Sequence, residues 1–247
     1  MICLYSCPEG TFLYTIQPYD TLWLLAQRYN TTVYAIMALN PGVDFNCLQA
    51  GQVIYICPRY EYCISQSALN LNNDIRMLWE QHVTWTRMTV ISIVQELPDV
   101  KPVTNRLLRN PKDSEIVLKP FYGDKIASEF SDLLTKHLVL AAQLVTAAKA
   151  GDTTGAENAE KMWYENADKI AAFLGSINPY WSEEIWRSML YEHLALTKSE
   201  AVEMLNKNYE KSIAIYDAVE KQALMMADVM IKGIIKQLEL YKNNVEF

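Results

Sequence analysis

LYTIQPYDTLWLLAQRYNTTVYAIMALNPGVDFNCLQAGQVIYI, residues 13–56, decides the fold. Leu13 to Gln17 alternates apolar and polar as a half-buried strand does, and Pro18 ends it. Asp20 then opens a helix in which Leu22, Leu25, Ala26 and Tyr29 recur at helical spacing, and in this reading Asp20 is its N-cap. After Asn30, the pair Thr31-Thr32 caps a second apolar stripe of Val33, Ile36 and Leu39. Asn40-Pro41-Gly42 stops that helix, and Gln52 to Ile56, entered through Gly51, is a returning strand. The order is β-α-α-β in under fifty residues.

Three pieces of this stretch, YTIQPYDTLWLLAQRY, ALNPGV and LQAGQVIYI, resemble the LysM domain, a small module that binds N-acetylglucosamine-containing glycans such as peptidoglycan and chitin. The resemblance covers the whole module in order, about a fifth of the chain. It implies a shallow sugar groove between the loop after the first strand, Pro18, Tyr19, Asp20, Thr21 and Leu22, and the loop after the second helix, Asn40, Pro41, Gly42, Val43 and Asp44. Of these, Leu22 reads as core, and Tyr19, Thr21, Gly42 and Val43 are the stronger contact candidates. One departure stands out: Tyr19 occupies the place where the family carries glycine. Tyrosine does not adopt a positive φ cheaply, so either the loop is built differently or the ring joins the sugar surface.

Outward from this module the composition changes. All five cysteines (Cys3, Cys7, Cys47, Cys57, Cys63) precede residue 66, and the first lysine is Lys101. The remainder is rich in Ala, Leu, Lys, Glu and Met, the usage of helices. We therefore expect an α+β module over residues 1–65 followed by an all-α antiparallel bundle over 66–247. The paired strands would oppose the segments flanking them, which makes Cys7 with Cys57, and Cys3 with Cys63, disulfide candidates and leaves Cys47 odd. Reduced thiols packed as small hydrophobes are the alternative, and an odd count also permits cross-linking between chains.

The net charge is −7, with 22 Lys and Arg against 29 Asp and Glu, and no basic cluster interrupts it. That argues against nucleic acid or an anionic membrane as partner. Leu138 to Ala148, the most apolar run, is too short to span a bilayer and contains Gln143. MICLYSCPEG lacks the basic start and long apolar core of a signal peptide, so the expectation is cytosolic synthesis. A wall-binding module made in the cytosol fits a spore coat, with coat proteins or further copies of the chain as partners. Peptidoglycan, spore cortex or a related N-acetylglucosamine polymer would be the ligand.

In the bundle the helical stripes predict helices over about 72–96, 124–150, 156–174, 182–196 and 208–240, with short pieces at 103–108 and 198–205, the last capped by Thr197. His82, His137 and His193 are the only histidines, and they fall on three different helices. Glu80, Asn166, Asp168, Glu192, Gln222 and Asp228 share those helices or their neighbours. The imidazoles are candidate metal ligands, weighed against ordinary core histidines, because the Glu-x-x-His pairing of di-metal bundles is absent. No other cofactor is indicated. Trp79, Trp85, Trp163, Trp181 and Trp186 are read as packing or as the lining of a ligand cavity, and Met225, Met226 and Met230 as core. No nucleophile elbow, phosphate loop or paired general-acid motif stands out, so a binding and assembly role is favoured over an enzyme or metalloprotein that the module localises.

Overall fold

The computed structural model describes residues 11–45, 48–58 and 66–243. Its contacts divide the chain into two compact units, Met1–Leu69 and Asn70–Phe247.

In the first unit, β1 (Phe12–Thr15), α1 (Leu22–Arg28), α2 (Val33–Leu39) and β2 (Val53–Ile56) follow in the expected order. The strands pair antiparallel, Phe12 opposite Ile56 and Thr15 opposite Val53, and Ile16 extends the ladder through bonds to Gln52 and Gly51. Period-two alternation sends Ile54 and Ile56 inward, where they meet Ile16, Leu22, Leu25, Ala26 and Ile36. Full burial of each large aliphatic chain stabilises by about 1.5–3 kcal/mol, and here Leu25, Ile36, Ile54 and Ile56 are all fully buried. The helix caps differ from expectation in one place. Thr21, not Asp20, is the N-cap of α1, its Oγ1 accepting from Leu24 N at 3.2 Å, whereas Thr32 caps α2 as expected.

The second unit is a helical bundle. Its elements are α3 (Gln66–Val94), α4 (Val100–Leu107), α5 (Asn110–Ala150), α6 (Thr153–Ile177), α7 (Glu183–Leu205) and α8 (Tyr209–Asn243). From α5 onward, each long helix packs on its successor. Two sequence-based boundaries are corrected. The helix expected from about 124 begins earlier: Asn110-Pro111 lies in the first turn of α5, where proline's missing N–H costs nothing, and the helix runs through Pro120 and bends at Gly123, whose φ of 78° breaks the helical path. Thr197 does not start a separate helix either. It lies inside α7, because the buried stripe of Leu190, Leu194, Ala201 and Met204 carries the helix through it. Asp152 and Ser182 cap α6 and α7 by accepting from Gly155 N and Ile185 N. Among the described residues, no helix is long and apolar enough to cross a membrane.

Candidate functional site

The two loops expected to flank the groove share one construction. Asp20 N donates to Gln17 O at 3.1 Å, closing a four-residue turn with Pro18 second and Tyr19 third. Val43 N donates to Asn40 O at 3.3 Å, closing another with Pro41 second and Gly42 third. Proline supplies the fixed φ of the second position, and the third needs a positive φ, as in a type II turn. Gly42 adopts it at 95°, and Tyr19 adopts it at 72°. The loop is therefore not rebuilt around the tyrosine. Tyr19 accepts the left-handed conformation, at a cost of about 1–2 kcal/mol, and holds its ring 96% exposed.

Asp20 anchors the first loop. Its carboxylate accepts from Tyr14 Oη at 2.6 Å and from Gln17 N at 2.8 Å, and Arg28 stands 3.4 Å away. Burial pushes the Asp20 pKa up, but the two hydrogen bonds and the Arg28 charge outweigh it and hold the carboxyl below the usual carboxylate range. The same bond raises the Tyr14 hydroxyl. Asp20 thus fixes loop geometry from within.

Asn40 has the same office in the second loop. It is 6% exposed and spends its amide on Ile36 O and on both backbone polar groups of Tyr55. Of the ten residues expected to form the groove, Leu22 and Asn40 are buried and Asp20 is committed internally. Pro18, Tyr19, Thr21, Pro41, Gly42 and Asp44 are exposed, with Val43 half-buried. Thr21 Oγ1 accepts the cap bond and keeps its hydrogen to donate. Sequence reasoning missed Trp23, 62% exposed on α1 just past this loop. It lies off the Leu22–Leu25–Ala26–Tyr29 stripe, and that displacement was the available signal. Cys57 is buried; Cys3, Cys7, Cys47 and Cys63 lie outside the described residues, so the expected cysteine pairings fall there.

The bundle brings its three histidines together. The His82 ring centroid lies 5.5 Å from that of His193 and 6.3 Å from that of His137, and all three are buried. They line a cavity of about 40 Å³ with Trp79, Trp186 and aliphatic chains. His137 has both nitrogens committed: Nδ1 faces Asn166 Oδ1 at 3.2 Å, and Nε2 accepts from Trp163 Nε1 at 3.2 Å. That fixes its tautomer with hydrogen on Nδ1 and no lone pair left for a metal. His193 Nδ1 meets Gln222 Oε1 at 3.1 Å, and His82 Nδ1 is buried without a hydrogen-bond partner.

Burial lowers the pKa of all three, His137 to about 3 and His193 to about 4, and for His82 the two neighbouring imidazoles add to it. The carboxylates do not join them: Asp168 pairs with Arg187, Asp228 with Arg76, and Glu80 lies beside Glu220. Among the described residues, no group of three or more His, Cys, Asp or Glu side chains is placed to hold a metal ion. Of the three candidate ligands His82, His137 and His193, it is His137 whose one lone pair is spent, on the Trp163 indole. The tryptophans divide: Trp79 and Trp186 line this cavity, Trp163 forms a wall elsewhere in the bundle, and Trp85 and Trp181 pack against Arg106 and Trp186. Met226 and Met230 are core as expected, but Met225 is 48% exposed.

A family model for the LysM domain matches residues 14–56. No curated protein and no solved structure matches the chain. Residues 14–56 form a LysM domain, and the match supports binding to N-acetylglucosamine-containing glycans.

Proposed function

We propose that residues 1–65 hold the chain on peptidoglycan, spore cortex or chitin, and that residues 66–247 are the cargo so positioned in a wall or coat assembly. The observation that carries this reading is the LysM match over residues 14–56. It is supported by the two proline turns, which leave Pro18, Tyr19, Thr21, Pro41 and Gly42 exposed around a fixed frame. Sugars offer hydroxyls and an acetamide to polar groups and flat apolar faces to rings. Thr21 Oγ1–H and the exposed loop backbone supply the first, and Tyr19 with Trp23 the second. Asp20 and Asn40 are positioning residues that hold the loops without touching the glycan. A single module binds weakly, so self-association of the chain or coat-protein partners would raise its retention on a polymer.

The test is co-sedimentation of the full chain with insoluble peptidoglycan and with chitin, competed by soluble N-acetylglucosamine oligomers. Depletion from the supernatant, reversed by the oligomer, is the expected result. A chain that stays in solution with both polymers overturns the reading.

A further inference from the structure

A second cavity lies in the bundle, away from the histidines. It measures about 170 Å³ and is lined by α3 to α7, chiefly by Thr89, Leu107, Leu138, Ala141, Trp163 and Thr197. Its wall is almost wholly apolar, and an apolar cavity of about 150 Å³ is large enough to admit benzene. A close-packed interior does not leave that volume empty without cost, since the lining atoms lose their dispersion partners.

One polar atom in the lining is unspent. Threonine hydroxyls inside helices ordinarily bond to the carbonyl four residues back, and Thr86, Thr89, Thr135 and Thr146 all do so here. Thr197 does not. It is 5% exposed, and its Oγ1 is buried with no hydrogen-bond partner. An unmade bond at a buried hydroxyl is costly, and a guest carrying one polar group would satisfy it. The charged members of the lining, Glu157, Glu160 and Lys198, reach solvent, and Lys198 bonds Glu160 from α7 to α6. They leave the interior without a charge.

The geometry points to a binding site for a small uncharged apolar molecule, of about benzene to indole size, bearing one hydroxyl or carbonyl group that pairs with Thr197 Oγ1. Trp163 is the natural reporter. Its ring is part of this wall while its Nε1–H reaches His137 in the neighbouring cavity, so occupancy on one side bears on the hydrogen bond of the other.

The test uses the full chain, with 4-fluorophenol and fluorobenzene as probes followed by fluorine NMR and titration calorimetry. Both are expected to bind saturably. Thr197→Val keeps the shape and removes the hydroxyl, and is expected to weaken 4-fluorophenol by about tenfold while leaving fluorobenzene unchanged. Ala141→Leu, which fills the cavity, is expected to abolish both with the helical circular dichroism retained. Absence of saturable binding to the wild-type chain overturns the proposal, as does an equal affinity of 4-fluorophenol for wild type and Thr197→Val. Those two readings stand even if the filling variant fails to fold.

Discussion

Asn40 pairs with Tyr55 as a residue of a third strand would: its Oδ1 accepts from Tyr55 N at 2.7 Å and its Nδ2 donates to Tyr55 O at 2.8 Å. The remaining amide hydrogen goes to Ile36 O at 2.7 Å, so one side chain ties the end of α2 to β2. Asn40→Ala removes three bonds from a buried position. We expect amide hydrogen exchange at Tyr55 to accelerate by about 30- to 100-fold, which corresponds to about 2–3 kcal/mol of local stability. Asn40→Asp should be no better, since a carboxylate cannot donate to Tyr55 O or Ile36 O. Unchanged exchange in both variants would mean that the amide is not what holds the loop.

Tyr19 separates backbone cost from ring contribution. Tyr19→Gly relieves the positive φ but adds chain entropy to the unfolded state, so the module should be as stable as wild type or more so by about 1 kcal/mol. Glycan affinity should nevertheless fall several-fold, by about the worth of one stacked ring. Tighter binding by Tyr19→Gly would show that the ring obstructs the groove instead of lining it.

The histidine cluster sets an acid limit on the bundle. Burial depresses the folded pKa values below the unfolded value of about 6.5, so between pH 6.5 and roughly 4 the unfolded chain binds more protons. Stability then rises with pH in that window and is lost as pH falls. Each histidine contributes up to about 1.4 kcal/mol per pH unit, and the three together up to about 4. No Asp, Glu, Lys or Arg lines their cavity to offset the charge. Urea unfolding followed at pH 7, 6, 5 and 4.5 checks this, and the slope should shrink in His82→Leu. A flat profile down to pH 4.5 would contradict the burial of neutral imidazoles.

Arg87 and Glu200 form a buried ion pair between α3 and α7, and Arg87 also lies over the Tyr216 ring of α8 at 4.8 Å. Glu200 is 1% exposed, and burial pushes its carboxyl pKa up against the pull of Arg87. Glu200→Ala strands the guanidinium and should cost about 3–5 kcal/mol in denaturant unfolding. Replacing both partners together should restore part of that loss, because the stranded charge is then gone.

Much of this molecule was legible in the chain. The β-α-α-β module followed from alternation, helical stripes and proline-glycine punctuation, all of them local signals. The bundle followed from long helical periods. Local signals also misled: Asp20 carries the residue type of a cap, yet Tyr14 and Gln17 claim it and Thr21 does the capping. Thr197 likewise has the residue type of a helix start, and a buried stripe overrides it.

What the sequence determined by itself is therefore the order and type of elements, and the identity of the module, because both rest on spacing along a short chain. Only the tertiary structure decided which polar groups are spent and which remain. It closed the two nitrogens of His137 with partners 26 and 29 residues away, and left Thr197 Oγ1 unpaired in an apolar wall built from five helices. Hydrogen-bond partnership across helices depends on packing distances, and no periodicity in one helix records the side chain that faces it from another.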